Sequence, residues 1–238
     1  CRRSSARSVS PRVILLLCLA PLAGCATTPD VLDFGTGPGV DTNGRREIRP
    51  ITWPAASSGE LPRYAYAGEL VGEDNFHRLK DAQVGLGQYF VDAWRWLVGL
   101  YDEGYKPLAL HRPQSGVVDQ GGERILVTDV SRQAVYVFNQ KIGRLEVWED
   151  ATSTTRFAGP TGIALGASGD IYVADAELGY IARLDTQGKS LGVIGKGILQ
   201  RPVGVAFDAT TRQLFVADAH AHDIKVFGAD GQHIRTLG

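Results

Sequence analysis

Over the second half of the chain, apolar side chains recur every second residue, the period of β-strands rather than helices. Val203, Val205 and Phe207 alternate, as do Leu214 with Val216 and Ile224 with Val226, while Phe215 and Phe227 place apolar groups on the opposite face. Strands that are apolar on both faces belong to sheets packed on both sides. Around residues 160–194 the pattern predicts four strands: Gly162–Leu165, Asp170–Ala174, Tyr180–Asp185 and Ser190–Ile194. Gly166 and Gly169 punctuate the first hairpin and Gly188 the last, with Gly231 and Gly143 at matching places in the neighbouring segments. Upstream the period changes. Leu86, Phe90, Ala93, Trp94, Leu97 and Tyr101 fall at i, i+3, i+4 spacing, widened by Tyr89, Trp96 and Leu100, which predicts a helix over 88–102 within an insert spanning 76–105. Its polar face holds Arg95 against Asp92 and Asp102, unlike the Lys/Arg-rich face of an interfacial helix, so packing on the protein is favoured over lipid or partner docking. Before it, 63–71 alternates aromatic with small or polar residues and predicts a strand.

The strand-rich half repeats itself. Val127–Phe138, Val173–Leu184 and Val216–Phe227 share one pattern, in which an apolar stretch is followed by Asp129, Asp175 or Asp218, spaced 46 and then 43 residues apart. Each copy is preceded by a proline-led strand, at Pro113, Pro160 and Pro202. Proline lacks an N–H to donate and is tolerated at the first residue of a strand. A period of about 40–50 residues with several short strands per unit is that of a β-propeller. The expected fold is therefore all-β, with three four-stranded blades over 110–238 and one amphipathic helical insert.

The pattern Pro202–Phe207, then Val216–Asp218, then His222–Phe227 resembles the NHL repeat family, over about half of the chain. Gln133 and Gly179 stand where that pattern has His222, and Ser115 precedes the glycine of the first copy. The resemblance implies a six-bladed ring. Three copies fall short of the roughly four to eight blades of a closed propeller, so the chain is expected to be truncated after Gly238. The 63–71 strand would then be the outer strand of a missing last blade. The alternative is an open arc, exposing two apolar blade faces, that a second copy completes.

Composition modifies this picture at the N-terminus. The chain has 238 residues and a formal charge of -1. Arg2, Arg3, Arg7 and Arg12 precede an apolar run at 13–20 that is short for a bilayer span. The run ends in Leu22, Ala23, Gly24 and Cys25, which resembles the lipobox of bacterial lipoproteins. That resemblance implies a signal peptide over 1–24, lipidation of Cys25 and, with Ala26 following, an outer-membrane address facing the periplasm. Cleavage there leaves 21 basic against 26 acidic residues, with no basic stripe to bind nucleic acid. Cys1 and Cys18 would leave with the signal, so no disulfide is expected. Residues 25–62 are Gly-, Pro-, Thr- and Ser-rich and read as a flexible tether. Gly35, Gly37 and Gly39 lack the flanking strand and helix of a phosphate loop.

Two features are candidates for chemistry. Asp129, Asp175 and Asp218 could ring a channel and hold a divalent cation, but their recurrence in every copy favours capping of turns through backbone N–H groups. His220 and His222, with Asp223 beside them, form a His-x-His pair short of the three or four ligands of a zinc site. No Gly-x-Ser-x-Gly, His-Glu-x-x-His or paired-Cys motif occurs. The expected function is a lipid-anchored, non-catalytic scaffold for a protein or carbohydrate partner in the envelope, with no cofactor. The alternative is a metal-dependent propeller lyase or lactonase.

Overall fold

The computed structural model describes residues 30–34, 52–54, 58–66, 68–77, 94 and 106–238. Four short N-terminal strands come first: β1 (Val31–Leu32), β2 (Thr52–Trp53), β3 (Tyr64–Ala65) and β4 (Phe76–His77). Three four-stranded antiparallel sheets follow, each with its strands side by side in chain order. The first contains β5 (Pro113–Val118), β6 (Arg124–Asp129), β7 (Ala134–Asn139) and β8 (Arg144–Trp148). A small hairpin, β9 (Asp150–Thr152) with β10 (Thr155–Arg156), leads to the second sheet. That sheet is β11 (Pro160–Leu165), β12 (Ile171–Asp175), β13 (Tyr180–Leu184) and β14 (Ser190–Ile194). The third is β15 (Pro202–Asp208), β16 (Gln213–Asp218), β17 (Asp223–Gly228) and β18 (His233–Leu237). These are three propeller blades, and their strands fall where the alternation of apolar residues predicts them.

Pro113, Pro160 and Pro202 each open the first strand of a blade and each pairs with the repeated aspartate, after which the register shifts. The proline thus occupies a bulged position where no ladder hydrogen bond is required of it. Two apolar seams hold the blades together. Leu126, Val135 and Val137 of the first blade meet Ile163, Val173, Ala182 and Leu184 of the second. Tyr172, Ala174 and Ile181 of the second meet Leu214, Val216 and Phe227 of the third. Full burial of each such side chain stabilises by about 1.5–3 kcal/mol, so the sheets depend on one another.

The face of the first blade directed away from the second is also covered. Ala134, Tyr136 and Phe138 pack beneath Leu32, Leu70, Phe76 and Leu110, and the Phe76 and Phe138 rings stack at 6.3 Å. These covering residues form a pad in which β1 pairs with β4, Val31 opposite His77 and Leu32 opposite Phe76. Asn75 pins the pad. Its side-chain amide donates to the carbonyls of Asp33 (2.8 Å) and Glu69 (2.9 Å), and its oxygen accepts from Val71 (2.7 Å) and Gly72 (3.0 Å). All four bonds are made by a residue only 5 % exposed, where unpaired amide groups would be costly. Gly143, at φ +65°, lies against Asp30, and a Cβ there would overlap the Asp30 backbone.

These observations revise three expectations. Asp30–Phe34, assigned to the tether over 25–62, is fixed on the first blade: Asp33 donates its N–H to the Asn75 carbonyl at 2.7 Å. Among the described residues, the strand expected over 63–71 is confined to Tyr64–Ala65, which pairs with Thr52–Trp53. Beyond it Leu70 turns onto the first blade instead of continuing the alternation. Phe76 and His77, at the start of the predicted insert, are in strand β4; the insert's helix over 88–102 lies outside the described residues apart from the exposed, helical Trp94. The signal segment 1–24 and Cys25 also lie outside them.

Candidate functional site

The repeated aspartates sit at one end of the blades, each as the last residue of the second strand, where the backbone must turn to the third. Asp129 accepts from the N–H groups of His111, Arg112 (3.0 Å) and Arg132 (2.9 Å). Asp175 accepts from Ala158 (2.8 Å), Gly159 (2.9 Å), Glu177 (3.1 Å) and Leu178 (3.0 Å). Asp218 accepts from Gln200 and Arg201, both at 2.8 Å, and from Ala221 at 3.4 Å. All three side chains are buried. One carboxylate therefore joins the segment leading into a blade to the turn between its second and third strands. Three or four fixed N–H dipoles already converge on each carboxylate, and a cation at the same oxygens would face their positive ends. These residues fit turn capping and do not fit a metal.

The third blade adds a cation of its own. Lys225, buried, donates its ammonium to Asp218 at 3.3 Å and to both oxygens of Asp223, at 2.6 and 2.9 Å. Burial raises the Asp218 carboxyl, but the N–H donors of Gln200 and Arg201 and the Lys225 ammonium outweigh it and hold the group below its usual range. Burial likewise lowers the Lys225 ammonium, and the hydrogen bonds to Asp223 and Asp218 reverse this, leaving it above its ordinary value. Lys225 was legible from the register: it stands two residues from Asp223, on one face of the strand, beside a turn whose capping residue is an acid.

His220 and His222 do not converge on a ligand site. They lie in the turn between β16 and β17, and His222 has φ +56°. The extended backbone that would aim both rings the same way is absent from this turn, and Asp223 is already paired with Lys225. Gln133 (φ +54°) and Gly179 (φ +69°) occupy the equivalent place in the other blades, so the position is defined by left-handed backbone and not by imidazole chemistry. Gly179 adopts that conformation without the Cβ cost the other two bear. Among the described residues, no group of three or more His, Cys, Asp or Glu could hold a metal ion.

What this end does present is a polar surface that spans the blades. The Arg201 guanidinium pairs with Glu177 of the preceding blade at 3.3 Å, and the Gln133 amide donates to the Ala158 carbonyl at 3.1 Å. Arg132 lies 2.8 Å from the His111 ring. With their backbones fixed by buried carboxylates, these exposed side chains form a preorganised surface of mixed charge.

No known family model matches the chain. Among solved structures it is similar to hydrazine synthase of Kuenenia stuttgartiensis, with 17% identity, a TM-score of 0.45 and 57% of this chain covering 38% of that one. It is similar too to a catalytically inactive virginiamycin B lyase from Staphylococcus aureus with quinupristin, at 15% identity and TM-score 0.44, over 57% of this chain and 46% of that one. The WD40 repeats of RRP9 match with 18% identity and TM-score 0.45, over 53% of this chain and 38% of that one. The chain thus spans less than half the length of each of these structures, and likenesses this distant say nothing of its activity.

Proposed function

We propose that this protein is an NHL-type propeller that acts as a non-catalytic binding scaffold, tethered to the bacterial outer membrane through lipid on Cys25 and facing the periplasm. Its partner is a protein or carbohydrate of the envelope, engaged by the end of the blades that carries the capped turns. The observation behind this reading is the use made of the recurrent aspartates. Their oxygens are taken up by backbone donors, which leaves a rigid polar surface that, among the described residues, lacks a convergent set of acid, base and nucleophile. The Leu22–Cys25 motif supports the anchor. A six-bladed ring, as the repeat resemblance implies, would extend the same surface around an axis. No specific observation favours the metal-dependent enzyme.

Metabolic labelling with a palmitate analogue tests the anchor. The full chain is expected to take up label and fractionate with membranes, and Cys25→Ser is expected to lose both. An unlabelled, soluble chain with Cys25 intact would refute it. Crosslinking in intact cells tests the surface, where Arg132→Ala with Arg201→Ala is expected to remove partner adducts while circular dichroism is unchanged. Lyase or lactonase turnover by purified full-length protein would overturn the non-catalytic reading.

A further inference from the structure

The two seams between blades are apolar along most of their length, yet they differ at two equivalent positions. In the first seam the paired residues are Leu126 and Val137; in the second the corresponding pair is Tyr172 and Arg183. Both substitutions place a polar group where its counterpart is packed by hydrocarbon. The result is a cleft of about 190 Å³ between the second and third blades, at the end opposite the aspartate-capped turns. This volume lies below the roughly 300–1,000 Å³ of a drug-sized site and suits a smaller ligand.

The chemistry of the lining is specific. Tyr172 is 2 % exposed and its ring stacks on Phe207 at 5.7 Å, which fixes the phenol at the cleft wall. Its hydroxyl makes no hydrogen bond to the described protein and is not sealed from the cleft. Burial pushes the phenol above its ordinary pKa, so it remains a neutral donor at physiological pH. Arg183 is committed to Asp170, which accepts from its Nε at 2.8 Å. Arg212 makes no ion pair with the described residues, and Asp230 uses one oxygen for the Gln232 N–H at 3.1 Å, leaving the other available. The two arginines and two aspartates balance in charge. A lone anion would meet Asp230 and a lone cation would meet Arg212. A neutral molecule whose hydroxyls both donate and accept satisfies both, with its C–H surface against the aromatic edges.

We propose that this cleft is a binding site for a single sugar ring, held by the Tyr172 hydroxyl, Arg212 and Asp230, with the Asp170–Arg183 pair as its rigid wall. The site stands on the geometry of this seam and depends neither on the lipid anchor nor on the capped turns.

Saturation-transfer NMR on the full chain in detergent tests it, with glucose, galactose and N-acetylglucosamine as probes and acetate and tetramethylammonium as charged controls. At least one sugar is expected to bind with a Kd on the order of millimolar. Tyr172→Phe and Arg212→Gln are each expected to weaken it about tenfold, a factor equivalent to the loss of about 1.4 kcal/mol. Arg212 is exposed in a turn, so its variant tests the site even if the Tyr172 variant fails to fold. Transfer to none of the sugars, transfer to acetate alone, or sugar binding indifferent to Arg212→Gln would each overturn the proposal.

Discussion

Val135, Ile181 and Ile224 hold the same place in the third strand of successive blades, yet the first two are fully buried and the last is 41 % exposed. The residue type is conserved in character and the backbone pairing is the same, so the difference comes from the neighbour alone. Val135 faces the second blade and Ile181 the third, whereas Ile224 shares an outward face with the exposed Leu237, opposite it in the ladder. The other end of the arc is unlike this one. There the outward residues Tyr136 and Phe138 are sealed by the N-terminal pad, and all six residues of β7 are buried. The two ends therefore carry equivalent apolar faces, one covered by the N-terminal pad and one exposed among the described residues. For the alternative of an open arc, the first of the two faces expected to be exposed is instead covered by the pad.

The largest test of that contrast is Phe138→Ala, which empties a fully buried site under the pad. It is expected to cost about 3–5 kcal/mol by denaturant titration, whereas Ile224→Ala on the open face is expected to cost less than about 1 kcal/mol. Equal losses would mean that the ends are alike. Asn75→Ala removes four hydrogen bonds at the pin and is expected to cost about 2–4 kcal/mol. Faster amide exchange at residues 30–34 and 68–77, with the third blade unchanged, would show that the pad releases as a unit.

The capped turns sharpen the comparison through pH. A carboxyl held below its unfolded value stabilises above that value and loses the contribution as pH falls through the folded one. For Asp218 the contribution is therefore complete above about pH 4 and fades below it. An ammonium held above its unfolded value does the reverse, so Lys225 contributes fully below about pH 10 and is lost as pH rises further. The destabilisation of Asp218→Asn, measured as a shift in Tm against wild type, is expected to be constant between these limits and to shrink at the acid end. A difference unchanged at pH 3 would refute the account. The smallest expected effect is Ile224→Asp, within about 0.5 kcal/mol, accompanied by weaker self-association in sedimentation if the open face is adhesive.

The blades were legible because their signals are redundant: two-faced strands, an aspartate at each second-strand terminus and a proline at each first one. The pad was not, because its strands are two residues long and pair across the 76–105 boundary that helical spacing drew. Nothing in an isolated Asn marks it as a four-bond pin, so Asn75 was found only in the fold. The seam cleft lies between these cases. Arg183 interrupts a column that is valine in the other copies, at Val137 and Val226, and aligning the repeats exposes it. What alignment does not supply is the direction of the side chain, or that Tyr172 stands opposite it on the same seam.

Gly143 shows how closely the first blade and its cover approach each other. A methyl group at that position would collide with the Asp30 main chain and would also strain the β7–β8 turn, where the backbone is left-handed. The N-terminal segment that covers Tyr136 and Phe138 and the hairpin turn of the first blade therefore both depend on the same missing side chain. The cover and the surface it hides are, in that sense, coupled through one position.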